Sequence, residues 1–218
     1  MSGFTGSPRL LKAGIVLLDP VTSAVLRIIP LQYNPDLLTR TLQVKGTAVE
    51  AGDRLEAQRL IGPPVETIKL DAEIDATDQL EFPRRNTTTV EVGIQPLLSA
   101  LETLVYPTSA DLQAENRLAN SGSLEVVPME SPLTLFVWSK NRIVPVRITE
   151  FNIVEEAFDP ALNPIRAKVS LGMRVLSVND LPFDHKGNSL FLAYQQQKER
   201  LAGKNAPVTL AVLGVNGI

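Results

Sequence analysis

The stretch Val65-Glu-Thr-Ile-Lys-Leu-Asp-Ala-Glu-Ile-Asp75 sets the fold class. Ile68, Leu70, Ala72 and Ile74 alternate with Lys69, Asp71, Glu73 and Asp75. A period of two sends successive side chains to opposite faces of a strand, so one face of this strand meets a core and the other meets water. Upstream, Lys12–Asp19 and Val25–Gln32 read as two strands joined by Asp19-Pro20-Val-Thr-Ser23. In that turn proline presets φ and the aspartate accepts from nearby N–H groups. Asn34-Pro35-Asp36 breaks the second strand, and Leu37–Val44 is a third extended run.

Residues 46–64 are of another kind. Gly46, Gly52 and Gly62-Pro63-Pro64 frame a polar stretch, Glu50–Arg59. Loops longer than about 12–15 residues in a compact domain are usually functional or disordered. The apolar Leu55, Leu60 and Ile61 mark this one as an arm that docks on a partner. Arg54, Leu55, Arg59, Leu60, Ile61, Pro63 and Pro64 are therefore the candidate subunit-interface residues.

Downstream, residues 76–92 read as polar and irregular. Gly93–Tyr106 reads as a helix, with Ile94, Leu97, Leu98, Leu101, Leu104 and Val105 on one stripe. Pro96 fits in its first turn, where a missing N–H costs nothing, and Pro107 ends it. Residues 108–131 read as a second long polar loop. Leu133–Trp138 is apolar on both faces, as a central strand is. Arg142–Phe158 alternates through Val144, Val146 and Ile148, then shifts phase to Phe151 and Ile153, which predicts a β-bulge. After the turn Asp159–Pro164, Arg166–Val178 alternates again and completes a long curved hairpin. Residues 179–188 read as a linker. Ser189–Leu201 reads as a helix with Leu190, Phe191, Tyr194 and Leu201 on its apolar side, and the last fifteen residues as an apolar, strand-like tail.

Six to eight strands curled around one amphipathic helix give a mainly β (α+β) sandwich or open barrel packed with that helix. The expected division is a loose leader over 1–9, a domain over 10–180 and a C-terminal helical extension over 181–218.

Composition narrows the function. The 218 residues include 21 Lys and Arg, 24 Asp and Glu, one histidine and no cysteine, for a net charge of −3. Thiol nucleophiles, zinc ribbons and iron–sulfur clusters are excluded, as is any site needing two imidazoles. Mild acidity argues against nucleic acid, whose binders carry a basic stripe. The apolar runs Ala13–Leu18 and Val208–Val215 are too short for a secretory h-region with its cleavage site or for a bilayer span, so the reading is cytoplasmic, with no membrane partner. His185 beside Asp184 reads as a solvated loop histidine, because adjacent side chains point apart. Asp71, Glu73 and Asp75 read as a solvated or lumen-facing sheet surface; Lys69 shares their face and no metal loop adjoins. Phosphate-binding, dinucleotide-binding and serine-hydrolase signatures are lacking. The chain is expected to be no enzyme, with no cofactor and no metal.

Four segments, in order, carry a family resemblance. Leu31-Gln-Tyr-Asn-Pro-Asp-Leu-Leu-Thr-Arg40 looks like the FNP-x-x-hydrophobic-x-R segment of contractile injection system tube proteins. Arg59–Asp75 resembles the strand that follows it there, and Gln95–Pro107 and Val175–Asp180 resemble the family's helix and late strand. The resemblance covers residues 10–180. It implies the phage tail-tube fold, with six copies in a ring, and points to the baseplate tube-initiator or adaptor subgroup. That subgroup joins the spike hub to the inner tube and primes tube assembly. Residues 181–218 are too short for the LysM domain of many members. The implied partners are a homo-hexameric ring, an inner-tube protein, a spike or hub protein, and sheath or other baseplate proteins. The implied location is a phage-tail-like particle, released or docked on a membrane. The arm would reach an adjacent subunit or ring. An ordinary inner-tube subunit is the alternative; a ligand-binding β-sandwich would need exposed aromatics, and aromatics are 5% of the chain.

Overall fold

Seven strands form one antiparallel sheet in a computed structural model that describes residues 10–46, 60–120, 131–206 and 208–215. The strands are β1 (Gly14–Leu18), β2 (Val25–Pro30), β3 (Leu38–Gln43), β4 (Val65–Asp75), β5 (Leu133–Ser139), β6 (Arg142–Phe158) and β7 (Pro164–Val175). Their order across the sheet is β2-β1-β5-β6-β7-β4-β3. The expected leader and most of the expected arm, including Arg54, Leu55 and Arg59, lie outside the described residues.

The alternation in β4 becomes a register. Ile68, Leu70, Ala72 and Ile74 pair with Met173, Leu171, Val169 and Ala167 of β7, and all eight are buried. The phase shift in β6 is a bulge. Ile148 pairs with Met173 and Glu150 with Gly172, leaving Thr149 as the extra residue. One inserted residue moves all later side chains to the opposite face. Val144, Val146 and Ile148 therefore face the core before it, and Phe151 and Ile153 after it. Gly172 makes room for the bulge: a Cβ there would sit 2.8 Å from Cβ of Glu150.

The sheet is curled. β2 and β4 are five strand spacings apart, roughly 24 Å if the sheet were flat. Yet Gln32, two residues beyond β2, donates from Nε2 to the Asp75 carbonyl at 2.5 Å and accepts from the Asp75 N–H at 3.0 Å. The two ends of the sheet are thereby drawn together into an open barrel around one apolar core. Asn34 does similar work next door. Its Oδ1 accepts from Ala13 N–H at 2.9 Å and its Nδ2 donates to the Leu11 carbonyl at 2.7 Å, imitating a strand beside the start of β1.

Helices fill what the strands leave open. α1 (Thr77–Leu80) and α2 (Thr87–Val92) occupy the stretch expected to be irregular. α3 (Gln95–Glu102) is the expected core helix with shorter bounds. Gly93, at φ +60°, turns the chain against Pro164 just before it, and single turns carry Leu104 and Val105 just after it. Leu98 and Leu101 are buried in the core, each worth about 1.5–3 kcal/mol. α4 (Ser109–Asn120) stands where a loop was expected and buries no residue. Its start is a reciprocal cap, in which Thr108 Oγ1 accepts from Asp111 N–H and Asp111 Oδ2 accepts from Thr108 N–H.

α5 (Lys186–Ala202) starts three residues before the expected helix. Its N-cap is His185, whose Nδ1 accepts from Gly187 N–H at 3.0 Å, so this histidine is a half-buried cap rather than a solvated loop residue. α5 is seated on the sheet. Phe191 and Tyr194 join the main core, while Leu190 packs with Leu18, Leu133 and Leu135. That second cluster explains why β5 is apolar on both faces: Phe136 looks into the barrel, and Leu133 and Leu135 look outward beneath α5. Among the described residues of the expected strand-like tail, Leu210–Leu213 form a 3-10 turn rather than a strand.

Candidate interaction surface

The best-organised polar cluster ties β3, β4 and α5 together. Glu66 lies in phase with Ile68 and Leu70, so the strand aims its carboxylate inward, where it is only 3% exposed. Arg40 Nε on β3 donates to Glu66 Oε1 at 2.8 Å, Tyr194 Oη donates to the same oxygen at 3.0 Å, and Lys198 Nζ donates to Oε2 at 3.0 Å. Lys198 also lies 4.0 Å from the Tyr194 ring centroid, a cation–π contact. Burial pushes the Glu66 carboxyl up, but the hydrogen bonds from Lys198 and Arg40 outweigh it and hold the group below the usual carboxylate range. Burial, together with the Glu66 charge, pushes the Tyr194 phenol up to about 12. With every oxygen partnered, this cluster holds a helix in place.

The outer face of β4, β7 and β6 carries the carboxylates singled out in the sequence. Lys69 pairs with Glu150 at 2.7 Å, Arg166 with Asp75 at 2.8 Å and Lys168 with Glu156 at 3.5 Å. Asp71 and Glu73 are exposed between them. Asp75 also accepts from the Thr77 N–H at 2.8 Å, starting α1. Among the described residues no group of three or more acidic or histidine side chains is gathered to hold a metal ion. No described helix is long and apolar enough to cross a membrane.

Two strand edges are open along this polar face. Among the described residues, β3 pairs only with β4. β6 pairs with β7 along its length but with β5 only as far as Val146, so among the described residues its edge from Arg147 to Phe158 has no strand beside it. Unpaired edges are templates for another strand. The base of the arm adjoins the β3 edge. Gly46 bridges Leu60, and Ile61 N–H donates to the Lys45 carbonyl at 3.1 Å. Val44, Leu60 and Ile61 are 67%, 72% and 60% exposed, whereas Pro63 and Pro64 are half-buried where β4 begins. Of the candidate interface residues described, Leu60 and Ile61 thus stand exposed near Val44 at the base of the arm, while the two prolines lead the chain back into the sheet.

Sequence reasoning missed the Glu66 cluster. The signal was present, because Glu66 continues the inward phase of β4 and sits opposite Leu42 of β3.

No protein-family model matches the chain, and no curated protein matches it. Two solved structures are similar in part. One is the tail of an empty gene transfer agent particle with C6 symmetry, at 12% identity and a TM-score of 0.30, covering 75% of this chain and 90% of that one. The other is the virion of a native gene transfer agent particle, at 11% identity and a TM-score of 0.29, with the same coverage.

Proposed function

We propose that this chain is a structural ring subunit of a phage-tail-like contractile particle, placed in the baseplate, where it joins the spike hub to the inner tube and primes tube assembly. The observation that carries the reading is the pair of open edges. The span β3-β4-β7-β6 contains four strands of alternating direction. An even number means that rotating a copy about an axis along the strands brings its β3 antiparallel to the free half of β6. Repeated head to tail, that contact closes a ring in which the β3 edge and the free half of β6 cover each other. The facing side chains are compatible. β3 offers Thr39, Thr41 and Gln43 to a β6 face bearing Glu150, Asn152, Val154 and Glu156, so no like charges meet. Six copies follow from the family resemblance, as do the hub and tube partners. The chain catalyses nothing and needs no cofactor in this role.

Electron microscopy of the purified chain, alone and mixed with spike-hub and inner-tube proteins encoded beside it, tests the reading. Six-fold rings that seed tube growth are expected. A chain that forms no ring under any of these conditions overturns it, and rings that stack on themselves into tubes assign it to the ordinary inner-tube subunits instead.

A further inference from the structure

We propose that the groove under the start of the free β6 edge is the socket for a second copy of this chain, and that Val44, Leu60 and Ile61 at the base of the arm are what fill it. The inference rests on the ring reading and adds a specific contact to it. The groove holds about 360 Å³ and is lined by Leu104, Val105, Leu133, Ile148 and Leu176, with Arg147 among its polar walls. It opens where β5 stops pairing with β6, beyond the pair Thr134 and Val146.

Polarity selects the occupant. A β3 strand laid antiparallel along β6 has its C-terminal end, Gln43, at the Arg147 end of the free edge. Beyond Val146 that edge is already taken by β5, so the incoming chain cannot continue as a strand and must peel away. The residues that peel away are Val44 to Gly46, with Leu60 and Ile61 bridged to them. Exposed apolar side chains at the base of the arm on one copy are thereby brought to a largely apolar groove on the next. The prolines Pro63 and Pro64 then lead the chain out of the contact and into β4.

The chain has no cysteine, so a disulfide can be placed without background. Ile61→Cys and Val105→Cys are both at exposed positions, and a bond between them requires Cβ atoms within about 4.5 Å. Oxidised separately, the single variants are expected to stay uncrosslinked. Mixed, they are expected to give a covalent dimer, and the double variant a ladder of covalent oligomers. In parallel, light scattering on the unmodified chain reports the ring, and Ile61→Asp is expected to raise its dissociation constant roughly tenfold or more. Rings without the crosslink, and without an effect of Ile61→Asp, overturn the socket while leaving the ring reading intact. A chain that stays monomeric and uncrosslinked overturns both.

Discussion

Lys198 Nζ donates to Glu66 Oε2 at 3.0 Å and so fastens the last long helix to the first core-facing residue of β4. Removing either side of a buried ion pair strands the other in a poorly solvated place. Glu66→Ala is therefore expected to cost about 3 kcal/mol, the low end for such pairs because Arg40 and Lys198 keep partial access to water. Lys198→Met should cost about 2 kcal/mol, since Arg40 and Tyr194 still hold Oε1 while Oε2 loses its donor. Urea melts of the two variants check the order and the size.

The same cluster sets a pH dependence at each end. The Glu66 carboxyl is held below its ordinary value in the fold, so its stabilisation is complete above the unfolded pKa of about 4.3 and is lost as pH falls through the folded one. The Tyr194 phenol is raised from 10.0 to about 12 in the fold. Its stabilisation is complete below pH 10 and is lost between 10 and 12. Glu66→Gln should flatten the acid limb of a stability profile and Tyr194→Phe the alkaline limb. Wild-type slopes in either variant would show that the cluster does not titrate as described.

Gly93 has φ +60° and ψ −137°, and a Cβ there would sit 2.2 Å from the Pro164 carbonyl oxygen. Ile94 N–H donates to that same oxygen at 2.9 Å, so the close approach is what docks α3. Gly93→Ala is expected to lose about 3 kcal/mol. Gly46→Ala, with open space around it, should stay within about 0.5 kcal/mol. Thermal melts of the pair give the comparison.

Deleting Thr149 removes the bulge but keeps Glu150 opposite Gly172 and Phe151 opposite Leu171, so Phe151 and Ile153 stay on the core face. Cooperative unfolding in urea is expected to survive this deletion. Gln32→Ala opens the barrel at its clip and should cost about 2 kcal/mol, because the Asp75 backbone loses two partners. Exchange of the Asp75 and Ala76 amides should quicken in that variant.

Much of this architecture was legible in the residues. The period of β4, the phase slip in β6 and the stripe of α3 each reflect a boundary between core and water, which is what a hydrophobic pattern records. The elements that escaped have no such boundary. α2 is built on Thr87, Thr88 and Thr89, poor helix formers, and buries nothing. α4 also buries nothing, and the cap between Thr108 and Asp111 at its start is a polar signal that the hydrophobic pattern does not carry. Glu66 broke the pattern by charge while obeying it by position. Its partners come from residues 40, 194 and 198, and no local reading could bring those together.

The strand order has a kinetic consequence. β1–β2, β5–β6 and β6–β7 are local hairpins, but β1–β5 joins Leu18 to Leu133 and β4–β7 joins Asp75 to Arg166. Long loop closures must precede these contacts, which places the chain among slow, millisecond-to-second folders. Throughout that interval the segment from β2 to β3 has a choice between closing its own barrel and closing that of a newly made sibling. The Gln32 clip decides the outcome in favour of its own chain, so a subunit that lost it would be prone to trading strands before any ring could form.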